Sequence, residues 1–555
     1  MARKSRNAPR RAVRPVSGVE RRAPSREFRA FLVVMAWLLV ASPWRYPLTG
    51  DGRLVVRTGI SLAFDGSFSL PRPPEKDGDW FYLVQPAGGG MPAAIYAPLG
   101  AGLRAASILA SRVLPPGHLR GRLTDFSVCL WSVLFTAALV WPLSRLYRYG
   151  GGGKKAAAPV AAALVLGTAL GPLGTSDFQE PFLTFLLAAS LERVLYARRL
   201  GESLRPRPLA LGGLFLGAAL LAKPTAIVVL PALLLTVFFA RGRRRPLRDG
   251  ALVLAGVIPF AALTLWLNAV RFGNALEFGY SGQLAHPLAR ATPFGWNLLR
   301  ITLLPNRGLL WFSPILLLAI PGAAGLFRAA RRADRVAALL AVAGLLAANA
   351  LWWSWEGGMS WGPRLAAPCV ALAAPLIWSG LRRNVTIALV LGLAGFALNL
   401  PGYLLEYPRI YWFARAHCGG SPPLGPIVPL HLDPSRGSIQ IDQRVHYSPG
   451  CAPEYIGYGV LETMVFKGDG PAAGNPGGVP EDSILVRLVT GRPAFEPSTD
   501  IGSMLFGEAV LRSDQMPASA LKLARAARDW GGSARDADAL VRELESRELG
   551  AAAGR

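Results

Sequence analysis

The stretch "RGRRRPLRDGALVLAGVIPFAALTLWLNAV", residues 241–270, contains the pattern that decides the fold. Five arginines in its first eight residues are followed, after Asp249, by 21 residues without a charge. Such a run is long enough to cross a bilayer as a helix. A basic cluster beside a span is typical of its cytoplasmic end. Residues 250–270 are therefore predicted to form a transmembrane helix that begins on the cytoplasmic side.

The same pattern recurs along the chain. Ten further apolar runs predict spans at about 28–44, 125–146, 157–174, 181–197, 208–222, 225–240, 308–327, 336–353, 365–381 and 384–401. With the N-terminus inside, the loops "RYGGGGKK", "ARRLGESLRPRP", "RGRRRPLR", "RAARRADR" and "LRRN" all lie on the cytoplasmic side, as the positive-inside rule requires. Counting segment 95–114 as a further span would move these loops outside, so we expect an amphipathic helix at the outer surface there.

Composition supports a membrane protein with no nucleic-acid partner. Of the 555 residues, 52% are hydrophobic before the 61 glycines are counted, which exceeds the usual apolar share of a soluble domain. The formal net charge of +26 resembles that of nucleic-acid-binding proteins. However, residues 402–555 contain 18 acids and 15 bases, so the basic excess lies between the apolar runs, where topology explains it.

The predicted fold is an all-α polytopic membrane protein of the cytoplasmic (inner) membrane, with about eleven transmembrane helices, the N-terminus inside and the C-terminus outside. Residues 1–27 form a basic cytoplasmic tail, and residues 28–401 form the transmembrane domain. Two extracytoplasmic loops are predicted at 45–124 and 271–307. Because no small-x-small cleavage site follows the first apolar run, we expect an uncleaved first span rather than a signal peptide.

Residues 402–555 are predicted to be an extracytoplasmic α+β region. Short β-like runs, "GSIQIDQRVHY" and "DSILVRLVTG", precede a polar end with a helical pattern at about 517–549. Cys418 and Cys451 lie in this region and can form one disulfide if the compartment is oxidising.

Several motifs recur at the outward ends of the predicted spans. In chain order they are "TGDGRLVVRTGISLAFDGSFSL", "YAPLGAGL", "TSDFQEPFLTFLLA", "FGNALEFGY", "LPNRGLLWFSPILLLAIPG" and "WWSWEGGMSWGPRLAAP". Through them, residues 28–401 resemble the GT-C superfamily of integral-membrane glycosyltransferases. Within that superfamily the chain looks most like the bacterial relatives of protein mannosyltransferases and lipid A aminoarabinose transferases.

The resemblance implies transfer of a sugar from a polyprenyl-phosphate donor to a cell-envelope glycan, lipid or protein at the outer face of the membrane. It also implies that Asp51, which follows the first span, is the catalytic residue. The family often has Asp-Glu at this place, whereas position 52 here is Gly. That departure weakens any argument for a bound metal, so no metal ligands and no cofactor are predicted, and the metal requirement stays open.

The chemistry explains why a carboxylate suits this position. The leaving group of a lipid-phosphate sugar is already a phosphate, so the reaction needs a base for the acceptor hydroxyl and cations for the phosphate. Asp51 fits the first task. Its structural alternative is an acid that caps a helix or a turn in "GDGR".

Two acids and three bases are candidates for substrate binding. Asp177 and Glu180 open the span at 181–197, where they bind sugar or acceptor, or serve only as cap and first-turn acids. Lys223, Arg307 and Arg364 lie at outward span ends and are candidate phosphate ligands. Their structural alternative is snorkelling towards lipid headgroups.

The tryptophan-rich segment "WWSWEGGMSWGPR" is the last candidate region. An interfacial aromatic belt explains its four tryptophans, but the rings can also stack on a sugar or line a prenyl groove, with Glu356 as a polar contact. Tyr280 is a candidate contact for the acceptor.

Two other functions remain open at this stage. A transporter or flippase of lipid-linked sugars is the first, although no internal repeat is visible and the candidate charges gather at the outer span ends. A non-catalytic GT-C-like protein that binds the lipid carrier is the second, and Gly52 keeps it open.

Overall fold

The structure is a computed structural model and is almost entirely helical. The residues it describes are 24–41, 50–71, 83–86, 89–200, 205–238, 245–281, 293–324, 332–352, 354–358, 360–381, 384–405, 501–530 and 534–553. The predicted tail 1–27 falls largely outside these ranges, as do Cys418, Cys451 and both β-like runs.

We label the helices in chain order. They are α1 Arg26–Ala41, α2 Gly50–Asp65, α3 Pro98–Ser111, α4 His118–Ala138, α5 Val140–Tyr149, α6 Lys154–Leu166, α7 Leu170–Gly174, α8 Glu180–Ala197, α9 Pro206–Ala222, α10 Leu230–Phe238, α11 Pro246–Phe272, α12 Phe294–Leu303, α13 Leu309–Phe312, α14 Ala319–Ala324, α15 Arg332–Ala350, α16 Pro368–Leu372, α17 Ala374–Gly380, α18 Val385–Leu404, α19 Ile501–Arg512, α20 Pro517–Asp529 and α21 Ala534–Ala553. Short 3₁₀ helices occupy Pro224–Val229, Pro314–Leu318 and Arg364–Ala366. Two strands, β1 Leu83–Val84 and β2 Ala93–Ala94, pair antiparallel.

Each of the eleven predicted spans contains a helix or a run of short helices. Four helical stretches are long and apolar enough to cross a membrane by length and composition, namely His118–Tyr149, Pro246–Phe272, Ala333–Ala350 and Val385–Leu404. The segment 95–114 contains the 14-residue helix α3, which at 1.5 Å per residue is too short to span a bilayer. The number of spans and their orientation remain predictions.

Helix α11 shows how one predicted span packs. A Cβ on Gly213 of α9 would lie 1.9 Å from the carbonyl oxygen of Val253, so the two helices touch through backbone. Small residues permit such close approach between helices in membranes. The other face of α11 leaves Ile258 and Trp266 each 60% exposed. An exposed apolar face of this kind is the pattern of a lipid-facing helix.

One predicted span is broken between α13 and the 3₁₀ helix that follows it. The backbone groups freed by such a break need partners within the protein. Asn399 of α18 supplies one, because its Nδ2 donates to the carbonyl oxygen of Phe312 at 2.8 Å. Its Oδ1 accepts from Trp361 Nε1 at 2.8 Å, so this amide also ties the tryptophan-rich segment to α18.

Basic loops from distant parts of the chain meet at one end of the helix bundle. Arg198 and Arg199, which follow α8, both pair with Asp334 at the start of α15. Arg199 also donates to the carbonyl oxygen of Tyr149 at 3.2 Å. Helix α8 has 18 residues and is therefore about 27 Å long. Its first residue, Glu180, lies at the opposite end of the bundle.

The C-terminal helices dock on α2, α3 and α4. Glu508 of α19 pairs with Arg57 of α2, and both side chains are almost fully buried. Arg512 bridges Glu508, at 3.5 Å, and Asp65 at the end of α2. Trp530 Nε1 donates to Thr124 Oγ1 at 3.1 Å. The predicted helical end is thus helical in the structure, and it packs against α2, whose first turn contains Asp51.

We expect Glu508→Gln to loosen this docking. The substitution removes the carboxylate that lies between Arg57 and Arg512, and removing one partner of a buried ion pair costs about 3–5 kcal/mol. Hydrogen–deuterium exchange should become faster in α2 and α19. Glu543→Gln is the matched control, because Glu543 is exposed and its pair with Arg547 lies on the surface. Equal exchange in both variants would contradict the docking role of Glu508.

Candidate active site

The carboxylate of Asp51 lies in a hydrogen-bonded ion pair. Asp51 stands in the first turn of α2, where acids are favoured by the helix dipole. Its Oδ2 accepts from Arg364 at 2.7 Å, and its Oδ1 accepts from the hydroxyl of Tyr96 at 2.6 Å. The side chain is 28% exposed, so solvent or a ligand reaches it. The carboxylate therefore points into the protein and does not belong to a solvent-exposed turn.

Arg364 connects the two acids of the site. It begins the 3₁₀ helix Arg364–Ala366 and is only 8% exposed. Its Nε lies 3.8 Å from Glu180 Oε1 and has no hydrogen-bond partner within the part of the chain that the structure describes. The guanidinium carbon lies 4.1 Å from the ring centroid of Phe178, a cation–π distance.

Glu180 and Lys223 complete a row of alternating charges. Glu180 is the first residue of α8 and is 4% exposed. Its Oε1 accepts from Lys223 Nζ at 3.1 Å. Lys223 is extended, with φ −163°, between α9 and the 3₁₀ helix that starts at Pro224. Because the prolyl residue disfavours a helical conformation before it, the chain opens here and turns Lys223 towards Glu180.

The row Asp51–Arg364–Glu180–Lys223 is electrically balanced. Two carboxylates and two cations alternate, and each inner member contacts both neighbours. Such a row keeps buried charges compensated in the absence of a substrate. Arg364 and Lys223 both lie within 4 Å of the same oxygen of Glu180, so two cations converge on one anionic group.

Tyr96 was not among the residues predicted from the sequence, although it opens the quoted motif "YAPLGAGL". Arg271 at the end of α11 fixes it from behind, by donating to the carbonyl oxygens of Ala94 and Tyr96. Arg271 is 5% exposed. The sequence did contain a signal for this contact. Arg271 lies at the outward end of a predicted span, and a charge at that depth needs buried partners.

Tyr280 and Glu356 border the row of charges. The Tyr280 ring packs edge-on against Trp352, with centroids 5.3 Å apart. Burial, together with the charge of Asp51, raises the pKa of Tyr280 to about 12, so its hydroxyl keeps its proton. Glu356 accepts from Ser354 Oγ at 2.9 Å, and burial raises the pKa of its carboxyl above the ordinary value.

Arg307 holds the loop that precedes Arg364. It is 1% exposed and donates to the carbonyl oxygens of Ser360, Gly362 and Gly358 at 2.6–2.7 Å. Gly362 has φ +59°, and a Cβ there would lie 2.8 Å from the Phe312 ring. The loop therefore needs glycine at this turn, and the arginine fixes its carbonyl groups.

Asp177 lies just before α8 and is half-buried. Its carbonyl oxygen accepts from Arg104 at 3.0 Å. The N-cap position of α8 is taken by Gln179, whose side chain makes no capping hydrogen bond. Asp177 is therefore not the N-cap of α8, which was its structural alternative. Among the residues that the structure covers, no group of three or more His, Cys, Asp or Glu side chains is placed to hold a metal.

Comparisons with known proteins identify similar solved structures. No family model and no curated protein matches the sequence. ArnT from Cupriavidus metallidurans bound to undecaprenyl phosphate is 12% identical, with a TM-score of 0.46 over 89% of this chain and 88% of that one. Its apo state gives 12% identity and 0.43 over 84% of each chain.

An oligosaccharyltransferase from Archaeoglobus fulgidus, in the apo form, is also similar. It is 12% identical, with a TM-score of 0.45 over 90% of this chain and 59% of that one. ArnT is a lipid A aminoarabinose transferase, and both proteins are GT-C glycosyltransferases. The likeness to these structures assigns no residue role to this chain.

Proposed function

We propose that the chain is a GT-C glycosyltransferase that moves a sugar from a polyprenyl-phosphate donor to a cell-envelope acceptor. The reaction takes place at the outer face of the cytoplasmic membrane. The observation that carries the proposal is the row Asp51–Arg364–Glu180–Lys223, in which four of the candidate residues, from four separate segments, are in contact.

The site lies at the end of the bundle expected to face outward. The basic loops meet at one end of α8, and basic loops favour the cytoplasmic side. Glu180, at the other end, is about 27 Å away along the helix. A lipid-linked sugar presented on the outer face would therefore meet the row of charges and not the basic loops.

The donor phosphate binds between Arg364 and Lys223. Both cations are held by carboxylates in this structure, and the Nε–H of Arg364 makes no hydrogen bond within the described part of the chain. An arriving phosphate adds negative charge to a balanced row and competes with the carboxylates for the cations. Arg364 then turns from Asp51 to the phosphate, and Asp51 is released towards the acceptor.

Asp51 acts as the general base. The proton of the acceptor hydroxyl passes to Asp51, and the acceptor oxygen forms a bond to the anomeric carbon. The bond between that carbon and the phosphate oxygen breaks, and polyprenyl phosphate leaves with the electron pair. The two cations stabilise the charge that grows on the phosphate. Tyr96 keeps the carboxylate oriented through its 2.6 Å hydrogen bond.

The other candidate residues shape the surrounding site. Tyr280 keeps its proton and donates to the acceptor or the sugar. Glu356 and Asp177 remain candidates for contact with the sugar or the acceptor. Arg307 positions the loop before Arg364 by its bonds to Ser360 and Gly362, instead of binding the phosphate directly.

The proposal is tested with the purified full chain in lipid nanodiscs. Polyprenyl-phosphate sugars are added with an extract of envelope lipids and glycans, and products are identified by mass spectrometry. We expect a donor-dependent mass increase of one sugar on an acceptor, and its loss from the envelopes of cells that lack the protein. Carrier binding without any transfer would favour the non-catalytic alternative, and movement of intact donor across the bilayer would favour the flippase.

A further inference from the structure

Helix α2, which bears Asp51, packs in a second hydrophobic core. This second core is formed with α3, α4 and the C-terminal helices α19, α20 and α21, and α2 contributes to it Val56, Ile60 and Ala63. Within the part of the chain that the structure describes, no residue of α2 belongs to the larger core of the helix bundle. The apolar packing that holds α2 therefore comes largely from the second core.

The other three members of the row of charges lie beside the larger core. Each has a neighbour within two positions that belongs to it, namely Phe182 near Glu180, Ala222 near Lys223 and Ala366 near Arg364. Asp51 and the two cations are thus carried by separately packed parts of the molecule, and the site forms where these parts meet. Its geometry depends on how α2 is seated.

Two buried ion pairs hold α2 on α19. Arg57 pairs with Glu508, and their side chains are 2% and 3% exposed. Asp65, at the end of α2, pairs with the fully buried Arg512 and accepts from Ser519 Oγ at 2.8 Å. Arg57 and Asp65 are eight positions apart, about 12 Å along the helix axis. Two fixed points at this separation set both the position and the direction of α2.

The C-terminal helices are in turn anchored on α4, which contributes to both cores. Asp125 Oδ1 accepts from the backbone N–H of Ile501, the first residue of α19, at 3.0 Å. A Cβ on Gly121 would lie 2.2 Å from the carbonyl oxygen of Trp530, so the chain behind α20 touches α4 through backbone. The C-terminal helices therefore connect the position of α2 to that of the bundle.

We propose that Glu508 is a positioning residue of the transfer reaction, which holds Asp51 in place through Arg57 and α2. The inference rests on the proposed function, because it takes Asp51 as the base. Asp51 lies six positions before Arg57, about 9 Å along α2. A tilt of the helix at the ion pair therefore displaces the carboxylate, and a displacement of about 1 Å can cost about 10²-fold in rate. Glu508 itself does not touch the reacting atoms.

Transfer and donor binding are measured on the full chain in nanodiscs for Glu508→Gln, Glu508→Asp and Glu543→Gln. We expect Glu508→Gln to lower kcat, counted per donor-binding site, by about tenfold. The KM for the donor should stay unchanged, because the phosphate ligands lie beside the larger core. Glu508→Asp keeps the charge and should recover most of the loss. Glu543→Gln is the control, since Glu543 is exposed and pairs with Arg547 at the surface.

The double variant Glu508→Gln with Asp51→Asn separates positioning from a general loss of structure. Once the base is gone there is nothing left to position, so Glu508→Gln should not slow Asp51→Asn further. Effects of independent sites would instead multiply. Hydrogen–deuterium exchange should become faster in α2, including the turn after Asp51, but not in α8, which packs in the larger core.

Three results would overturn the proposal. A tenfold loss from Glu508→Gln in both backgrounds would show a general structural effect. Unchanged kcat in Glu508→Gln, while Asp51→Asn slows transfer as expected, would remove the positioning role and leave the proposed function standing. Full transfer by Asp51→Asn would remove the proposed base, and the positioning role with it.

Discussion

Asp51→Asn is expected to lower the rate of sugar transfer by roughly 10²–10⁴-fold, the usual contribution of a general base. Asn keeps the shape of the side chain, and its amide oxygen can still accept from Arg364. It cannot take the proton of the acceptor hydroxyl. The rate should therefore fall while the donor still binds. Single-turnover transfer and donor binding, measured separately in nanodiscs, check both parts.

The control for this variant is Asp514→Asn. Asp514 also pairs with an arginine, Arg547, at 3.0 Å, but its side chain is 82% exposed and lies in the turn between α19 and α20. We expect unchanged transfer there. If Asp51→Asn transferred sugar as fast as the unmodified protein, Asp51 would not be the base, whatever its contacts.

Arg364→Gln is expected to weaken the donor site and the fold together. Glu180 would keep its pair with Lys223, whereas Asp51 would lose the one member of the row that it contacts. Breaking a buried pair in this way costs about 3–5 kcal/mol, and the partial exposure of Asp51 favours the lower end. The KM for the donor should rise by about 10–100-fold, because a charge-assisted bond to phosphate is lost. Thermal unfolding and donor-dependent kinetics report the two effects.

The double variant Asp51→Asn with Arg364→Gln separates structural from catalytic roles. Removing both charges of the pair should recover much of the lost stability, since the two neutral amide side chains leave no unpaired carboxylate between them. Transfer should not recover, because both base and phosphate ligand are absent. Recovery of transfer along with stability would contradict the proposed reaction at this site.

Local patterns in the sequence were sufficient to predict the helices and several candidate site residues. Uncharged runs as long as residues 250–270 form helices because every backbone group is satisfied within the segment. Glu180 was identified because it opens the predicted span at 181–197 within the motif "TSDFQEPFLTFLLA". Asp51 was identified through the family resemblance, and Arg364 was identified as a cation at the outward end of a predicted span. The contact between Asp51 and Arg364, 313 positions apart, follows only from the fold.

The partners of these residues were decided by the tertiary structure alone. No local pattern pairs Tyr96 with Asp51, Arg271 with Tyr96, or Glu508 with Arg57. Arg307 was a candidate phosphate ligand by its position, and the fold brings the carbonyl groups of the loop before Arg364 to its guanidinium. The physical reason is the range of the forces involved. Hydrophobic periodicity and helix signals act over a few residues, whereas a buried charge takes the partner that the packed chain places beside it.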